Sequence, residues 1–205
     1  MTENWTVIHF VRHGEVFNPG NIYYGRLMGF PLSHLGREKL SCTKDYFQQN
    51  SIAAIYRSPQ LRTQQTAEII KENQPSGSIF TTDLLNEVHS PYDGRPLDEL
   101  KAIDFDVYTG SSREFEQPND VLSRGLAFIR GICTGHISQE VIAVTHGDLI
   151  AFIRLWAEKK ECTPANKADI YKNSLNYGSI TTLTFEPKPS AQLIDWKYVD
   201  PTIDN

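Results

Sequence analysis

The chain has 205 residues, 40% of them hydrophobic and 22% charged, with a net charge of −5. That length can bury a full core as a single domain. The acidic balance, with a pI near 5.7, argues against a broad basic face for nucleic acid, and no run of ~18 uninterrupted apolar residues offers a membrane span.

The first predicted element is "WTVIHFV" (5–11), a β-rich run that reads as a buried strand. Ser33 then precedes a helix with Leu35, Leu40 and Phe47 on one face, and its side chain is the expected cap. "SIAAIY" (51–56) is a second strand, and Ser58-Pro59 announces the helix "QLRTQQTAEIIKEN". "SIFTTDLL" (78–85) is a third strand. Residues 88–117 lose all periodicity and read as a cap-like insertion over a site, within one domain spanning 1–205. A helix opened by Asn119 or Asp120 follows, then the strand "EVIAVTHG" (140–147) and the apolar helix "DLIAFIRLWAEK". Two last strand-like runs, "SITTLTFEP" and "AQLIDWKYV", joined through Pro187-Lys188-Pro189-Ser190, predict a hairpin at a sheet edge. The alternation predicts an α/β fold: three layers, α/β/α, around a central, mostly parallel sheet.

The cysteines, Cys42, Cys133 and Cys162, are odd in number and far apart, so neither a zinc pair nor a disulfide framework is expected. Cys133 reads as a small buried apolar side chain. The acidic Glu3 and the lack of a basic, apolar leader point to a cytoplasmic protein, and make the sequon at Asn4-Trp5-Thr6 irrelevant.

Two strands end in His-Gly, "VRHG" at 11–14 and "VTHG" at 144–147. In an open parallel sheet, ligands bind beyond the carboxyl ends of strands. Arg12, His13 and His146 therefore share one rim, to which "YRSPQLR" adds Arg62 and "LLNE" adds Glu87. Guanidinium forks match phosphate oxygens, and charge neutralisation lets an imidazole nitrogen attack phosphorus without a metal. Glu87 can protonate the leaving oxygen and later activate water. The glycine after each histidine lets backbone approach a ligand. Singly each residue reads as structural; four matching strand ends together do not. His34, His89 and His136 lack such placement, although His89 sits only two residues from Glu87.

These motifs, in this order, resemble the histidine phosphatase superfamily, the group that includes cofactor-dependent phosphoglycerate mutases. "VRHGEVFNPG", "YYGRLMGFPLSHLG", "SPQLRTQQTA", "LLNE" and "VTHGD" carry the match. The resemblance implies His13 as the phosphorylated nucleophile, with Arg12, Arg62, His146 and Asn18 on the phosphoryl group and Glu87 as proton donor. Tyr24 and Gly25 fall where the family contacts substrate, with Arg26 beside them and Gly147 next to the second histidine. It implies a histidine acid phosphatase-type phosphomonoester hydrolase with no cofactor and no metal, whose partner is a small phosphorylated substrate. Oligomeric state is left open, a homodimer included.

Departures from the family pattern carry expectations of their own. Asp148 stands where mutases usually have Asn, and a carboxylate near a phosphate dianion is expected to turn away and cap the following helix. Gln60 and Thr63 replace the usual Leu and Ala, with small packing effects expected. The segment after Glu87, "VHSPYDG", lacks the mutase sequence there, which favours water as the final phosphoryl acceptor. The alternatives are a mutase and a catalytically inactive phospho-ligand binding module. A metallohydrolase on His13 and His146 is disfavoured by the adjacent arginines. Substrate choice is expected to lie in 22–30 and 88–117, where Tyr92, Phe105, Tyr108 and Phe115 supply apolar surface and Arg26, Arg95 and Arg113 positive charge.

Overall fold

The computed structural model describes residues 5–187 and 191–203. The readings of Glu3, of Asn4 in the sequon, and of Lys188, Pro189 and Ser190 in the hairpin connection lie outside the described residues. The elements in order are β1 (Thr6–Arg12), α1 (His34–Tyr46), β2 (Ile52–Arg57), α2 (Leu61–Lys71), β3 (Ser78–Thr81), α3 (Leu97–Lys101), α4 (Pro118–Gly135), β4 (Glu140–Thr145), α5 (Gly147–Ala157), α6 (Pro164–Asn173), β5 (Ile180–Phe185) and β6 (Leu193–Val199).

The six strands form one sheet in the order β3-β2-β4-β1-β5-β6. β1, β2, β3 and β4 run parallel, and β5 pairs antiparallel with both β1 and β6. Central parallel strands are covered on both faces, so they read as continuous apolar runs rather than alternating ones. β4 follows that rule, with everything after Glu140 buried. Ile8, Phe10, Val141, Ala143 and Phe152 belong to the core on one face, and Val11, Phe47, Ile55, Ile142 and Val144 to the core on the other. Apolar packing on each side of a single sheet is the three-layer arrangement the alternation predicts. β6 is the outer antiparallel strand and is mostly exposed or half-buried; its Asp195 and Lys197 blunt the open edge.

Boundaries differ from expectation in instructive places. The third strand stops at Thr81, because Thr82 accepts a hydrogen bond from the Leu84 amide and starts a 3-10 turn over Asp83–Leu85. That turn buries Leu85 completely and delivers Glu87 to the rim. β4 ends at Thr145, and His146 is already the residue before α5. The Ser33 cap of α1 accepts from the Gly36 amide as predicted, but Leu35 is 47% exposed while Leu40 and Phe47 are buried. α4 opens at Gln117, not at Asn119 or Asp120: Pro118 fills the first turn and Asp120 reaches back to the Gln117 amide. α6 had no counterpart among the predicted elements, although Thr163-Pro164, a capping residue before a first-turn proline, announces it. Among the described residues no helix is long and apolar enough to cross a membrane.

Candidate active site

The parallel register brings Arg12 of β1 opposite Thr145 of β4, so the residues that follow each strand emerge side by side. His13 and His146 are both buried, with ring centroids 5.2 Å apart. His13 Nδ1 lies 2.8 Å from the Gly14 carbonyl. A carbonyl only accepts, so Nδ1 carries the proton and the Nε2 lone pair is exposed to the site. Arg62, on the first turn of α2, donates from Nε to that Nε2 at 3.2 Å and approaches His146 Nδ1 at 3.0 Å from Nη2. Its Nη2 also donates to the Gly25 carbonyl at 2.8 Å, and its guanidinium lies 4.7 Å from the Tyr24 ring centroid.

Glu87 completes the group. Its Oε2 is 3.4 Å from His146 Nδ1 and 3.6 Å from Arg62 Nη2, while Oε1 accepts from the Val88 amide at 2.9 Å. Burial pushes the Glu87 carboxyl above the usual carboxylate range, against the opposing pull of Arg62. Burial, reinforced by the positive charge of Arg62, holds both His13 and His146 well below the ordinary imidazole range. The resting site therefore pairs a neutral imidazole with a carboxyl that retains its proton more readily than a free one.

Arg12 reaches the site from the other side. One Nη donates to the Leu175 carbonyl at 2.6 Å, and the guanidinium lies 4.1 Å from the Tyr177 ring centroid. Its buried Nε has no acceptor among the described residues. Arg12, His13, Asn18, Tyr24, Glu87 and Gly147 all line one cavity of about 600 Å³. Asn18 also braces its own loop, donating to the Ile22 carbonyl at 2.8 Å.

Several expectations are corrected. Arg26 donates to the Glu87 carbonyl at 2.7 Å and pairs with Glu116 at 2.9 Å, bracing the acid loop from behind. Gly25 contributes its carbonyl to Arg62 and sits at φ +37, where a Cβ would strike the Asp93 carboxylate. The glycines after the histidines make room for protein rather than ligand: a Cβ on Gly147 would lie 1.9 Å from the Tyr171 hydroxyl, and one on Gly14 2.7 Å from Leu40. His89 is exposed and lies beside Phe115, outside the cluster.

Asp148 does turn away from the two histidines, but it caps nothing. Its carboxylate accepts from the Tyr108 hydroxyl at 2.6 Å, the Tyr171 hydroxyl at 2.7 Å and Lys167 Nζ at 3.1 Å. Gln60 does more than pack. Its Oε1 faces His146 Nε2 at 3.1 Å and accepts from Ser58 at 2.7 Å, while its Nε2 donates to Asn86. Since Gln60 Oε1 only accepts, His146 carries its proton on Nε2 and turns Nδ1 toward Arg62 and Glu87. Thr63, beside it, bonds the Ser58 hydroxyl at 2.7 Å.

One nitrogen each from His13 and His146 and an oxygen of Glu87 lie within 4.8 Å of one another, a donor set that a divalent cation can use. The Arg62 guanidinium lies between them, a positive charge that opposes a cation and suits an anion.

The family model of the histidine phosphatase superfamily (branch 1) matches residues 8–196. Two uncharacterized proteins of Mycobacterium tuberculosis are 38% identical over 90 residues and 47% identical over 84 residues. The alignments cover 44% of each chain in the first case, and 41% of this chain and 42% of the relative in the second, so the chain spans under half the length of these curated relatives. Among solved structures, Bacillus stearothermophilus YhfR superposes with a TM-score of 0.74 at 23% identity, covering 92% of this chain and 95% of that one. A mycobacterial glucosyl-3-phosphoglycerate phosphatase gives 0.75 at 20%, covering 94% and 96%. The phosphoserine phosphatase of Entamoeba histolytica, solved with 3-phosphoglyceric acid, gives 0.73 at 18%, covering 97% and 100%. At such identities the likeness speaks for the fold alone, whereas the family match runs through nearly every element that carries a residue of the site. The chain belongs to the histidine phosphatase superfamily, branch 1.

Proposed function

We propose that this protein is a metal-independent phosphomonoesterase that cleaves a small phosphorylated metabolite through a phosphohistidine on His13. The observation that carries the reading is the unprotonated Nε2 of a buried His13 beside the Arg62 guanidinium, with Glu87, its carboxyl pushed up by burial, across the site. Nε2 attacks phosphorus as the ester P–O bond breaks, and Glu87 gives its proton to the departing alkoxide. The Glu87 carboxylate then takes a proton from water, hydroxide displaces the histidine, and orthophosphate leaves. Arg12 and Arg62 hold the phosphoryl oxygens, His146 joins them as a donor once the incoming phosphate draws a proton onto its Nδ1, and 88–117 covers the site as part of the same domain. The phosphatases among the structural neighbours favour hydrolysis over transfer to a second hydroxyl.

The test is phosphate release from a panel of phosphomonoesters with EDTA present. Turnover should persist, and quenched enzyme should carry acid-labile phosphate that His13→Ala cannot form. Full labelling of that variant, or loss of turnover on chelation, overturns the mechanism. Return of the phosphoryl group to added 3-phosphoglycerate faster than to water would make the protein a mutase.

A further inference from the structure

Resting on the phosphatase reading, we propose that the preferred substrate is the monophosphate of a bulky, uncharged, apolar or aromatic alcohol, with Phe105 as a specificity-determining residue. The cavity beyond His13 is walled by Tyr24, Tyr171 and Tyr177 at the phosphoryl end and by Leu97, Phe105 and Val107 farther out. At about 600 Å³ it is far larger than a three-carbon phosphate ester requires.

The cations present are committed elsewhere. Arg12 lines the cavity and Arg62 lies against His13 and His146, and both belong with the phosphoryl group. Arg26 and Arg124 both pair with Glu116 and both donate to the Glu87 carbonyl. Lys167 is held by Asp148 and by the Phe105 carbonyl at 2.8 Å, and Lys101 pairs with Asp98 at 2.7 Å. Lys172 lines the wall but is solvent-exposed, so a pair with it would be screened. Asp104, exposed like Lys172, and Asp148, already paired with Lys167, line the same wall, so a second anionic group on the substrate finds no matched fork there. A carboxylate desolvated against tyrosine and phenylalanine without a partner is penalised, whereas an apolar body is favoured there.

The backbone at Phe105 strengthens the assignment. Asp104 and Phe105 are consecutive residues with positive φ, +50 and +56. For a bulky side chain this is a strained conformation, and strain of that kind persists only where surrounding contacts enforce it. Here the Phe105 amide donates to the Leu100 carbonyl at 2.8 Å, and Lys167 Nζ clamps the Phe105 carbonyl from α6. The result is a phenylalanine 41% exposed at the cavity wall, fixed there at a cost in local conformation.

The experiment compares kcat/KM for 2-phenylethyl phosphate, ethyl phosphate, 3-phosphoglycerate and O-phosphoserine, with p-nitrophenyl phosphate as the control for turnover itself. The phenylethyl ester should exceed the other three alkyl esters by about tenfold or more. Phe105→Ala should shrink the phenylethyl-to-ethyl ratio by roughly tenfold, and Phe105→Leu should restore much of it. Equal or better turnover of 3-phosphoglycerate or phosphoserine overturns the substrate class, as does an unchanged ratio in Phe105→Ala. If p-nitrophenyl phosphate itself releases no phosphate, the phosphatase reading fails and this proposal falls with it.

Discussion

Replacing Asp148 by asparagine, the residue expected there from the mutase pattern, should destabilise this protein. Asp148 accepts two tyrosine hydroxyls and a Lys167 ammonium that is only 2% exposed. Breaking a buried ion pair by removing one partner typically costs about 3–5 kcal/mol, since the remaining charge stays desolvated. Lys167 keeps the Phe105 carbonyl, and the asparagine oxygen can still accept one tyrosine, so the low end applies: about 3 kcal/mol. For a domain of this size that corresponds to a fall in Tm of roughly 6–12 °C. Urea unfolding followed by fluorescence would read it as a lower midpoint at unchanged slope. Lys167→Met removes the stranded charge, so the double variant should be less damaged than the sum of the singles, with a coupling of about 1–3 kcal/mol. An Asp148→Asn protein within about 0.5 kcal/mol of the parent, or strictly additive losses, would refute this account of the cluster.

Gln60→Leu should lower kcat/KM by about tenfold, equivalent to about 1.4 kcal/mol, because His146 loses one of the two acceptors, with the Ser58 hydroxyl at 2.8 Å, that fix its tautomer. The ¹⁵N shifts of the ring should then report a mixture of tautomers, and an unchanged single tautomer would count against the role. The pH profile follows from two opposite displacements. A raised Glu87 keeps the general acid protonated to higher pH, moving the basic limb up toward neutrality; a lowered His13 keeps the nucleophile neutral to lower pH, moving the acidic limb down. Glu87→Gln should remove the basic limb and slow alkyl esters far more than p-nitrophenyl phosphate, and a profile identical to the parent's would place the acid elsewhere.

The parts of the fold most legible in the sequence are those where local pattern and burial coincide. "EVIAVT" reads as a strand covered on both faces, and Ser33 reads as a cap, because each signal lies in a few adjacent residues. The strand-end rule alone puts His13 and His146 on one rim, and the register of β1 against β4 is consistent with it. Arg26, Gln60 and Asp148 were harder. What each touches depends on residues 19 to 90 positions away: Glu116, Asn86 and Lys167. Neither periodicity nor propensity encodes such distant pairings. The conformation of Phe105 was hidden for a related reason, since its carbonyl is held by a lysine on a helix that begins some sixty residues later.

The strand order has a consequence for how the protein is made. β1 and β2 are consecutive in the chain but never touch; β4 is inserted between them. Until residues 140–145 have emerged and docked, the segment bearing Arg12 and His13 has no lateral neighbour linking it to the segment bearing Arg62. The anion-holding geometry is therefore the product of one of the last non-local pairings, and loop closure over such separations is slow. A growing chain on the ribosome carries Arg12 and His13 for more than a hundred residues before β4 can bring them beside His146.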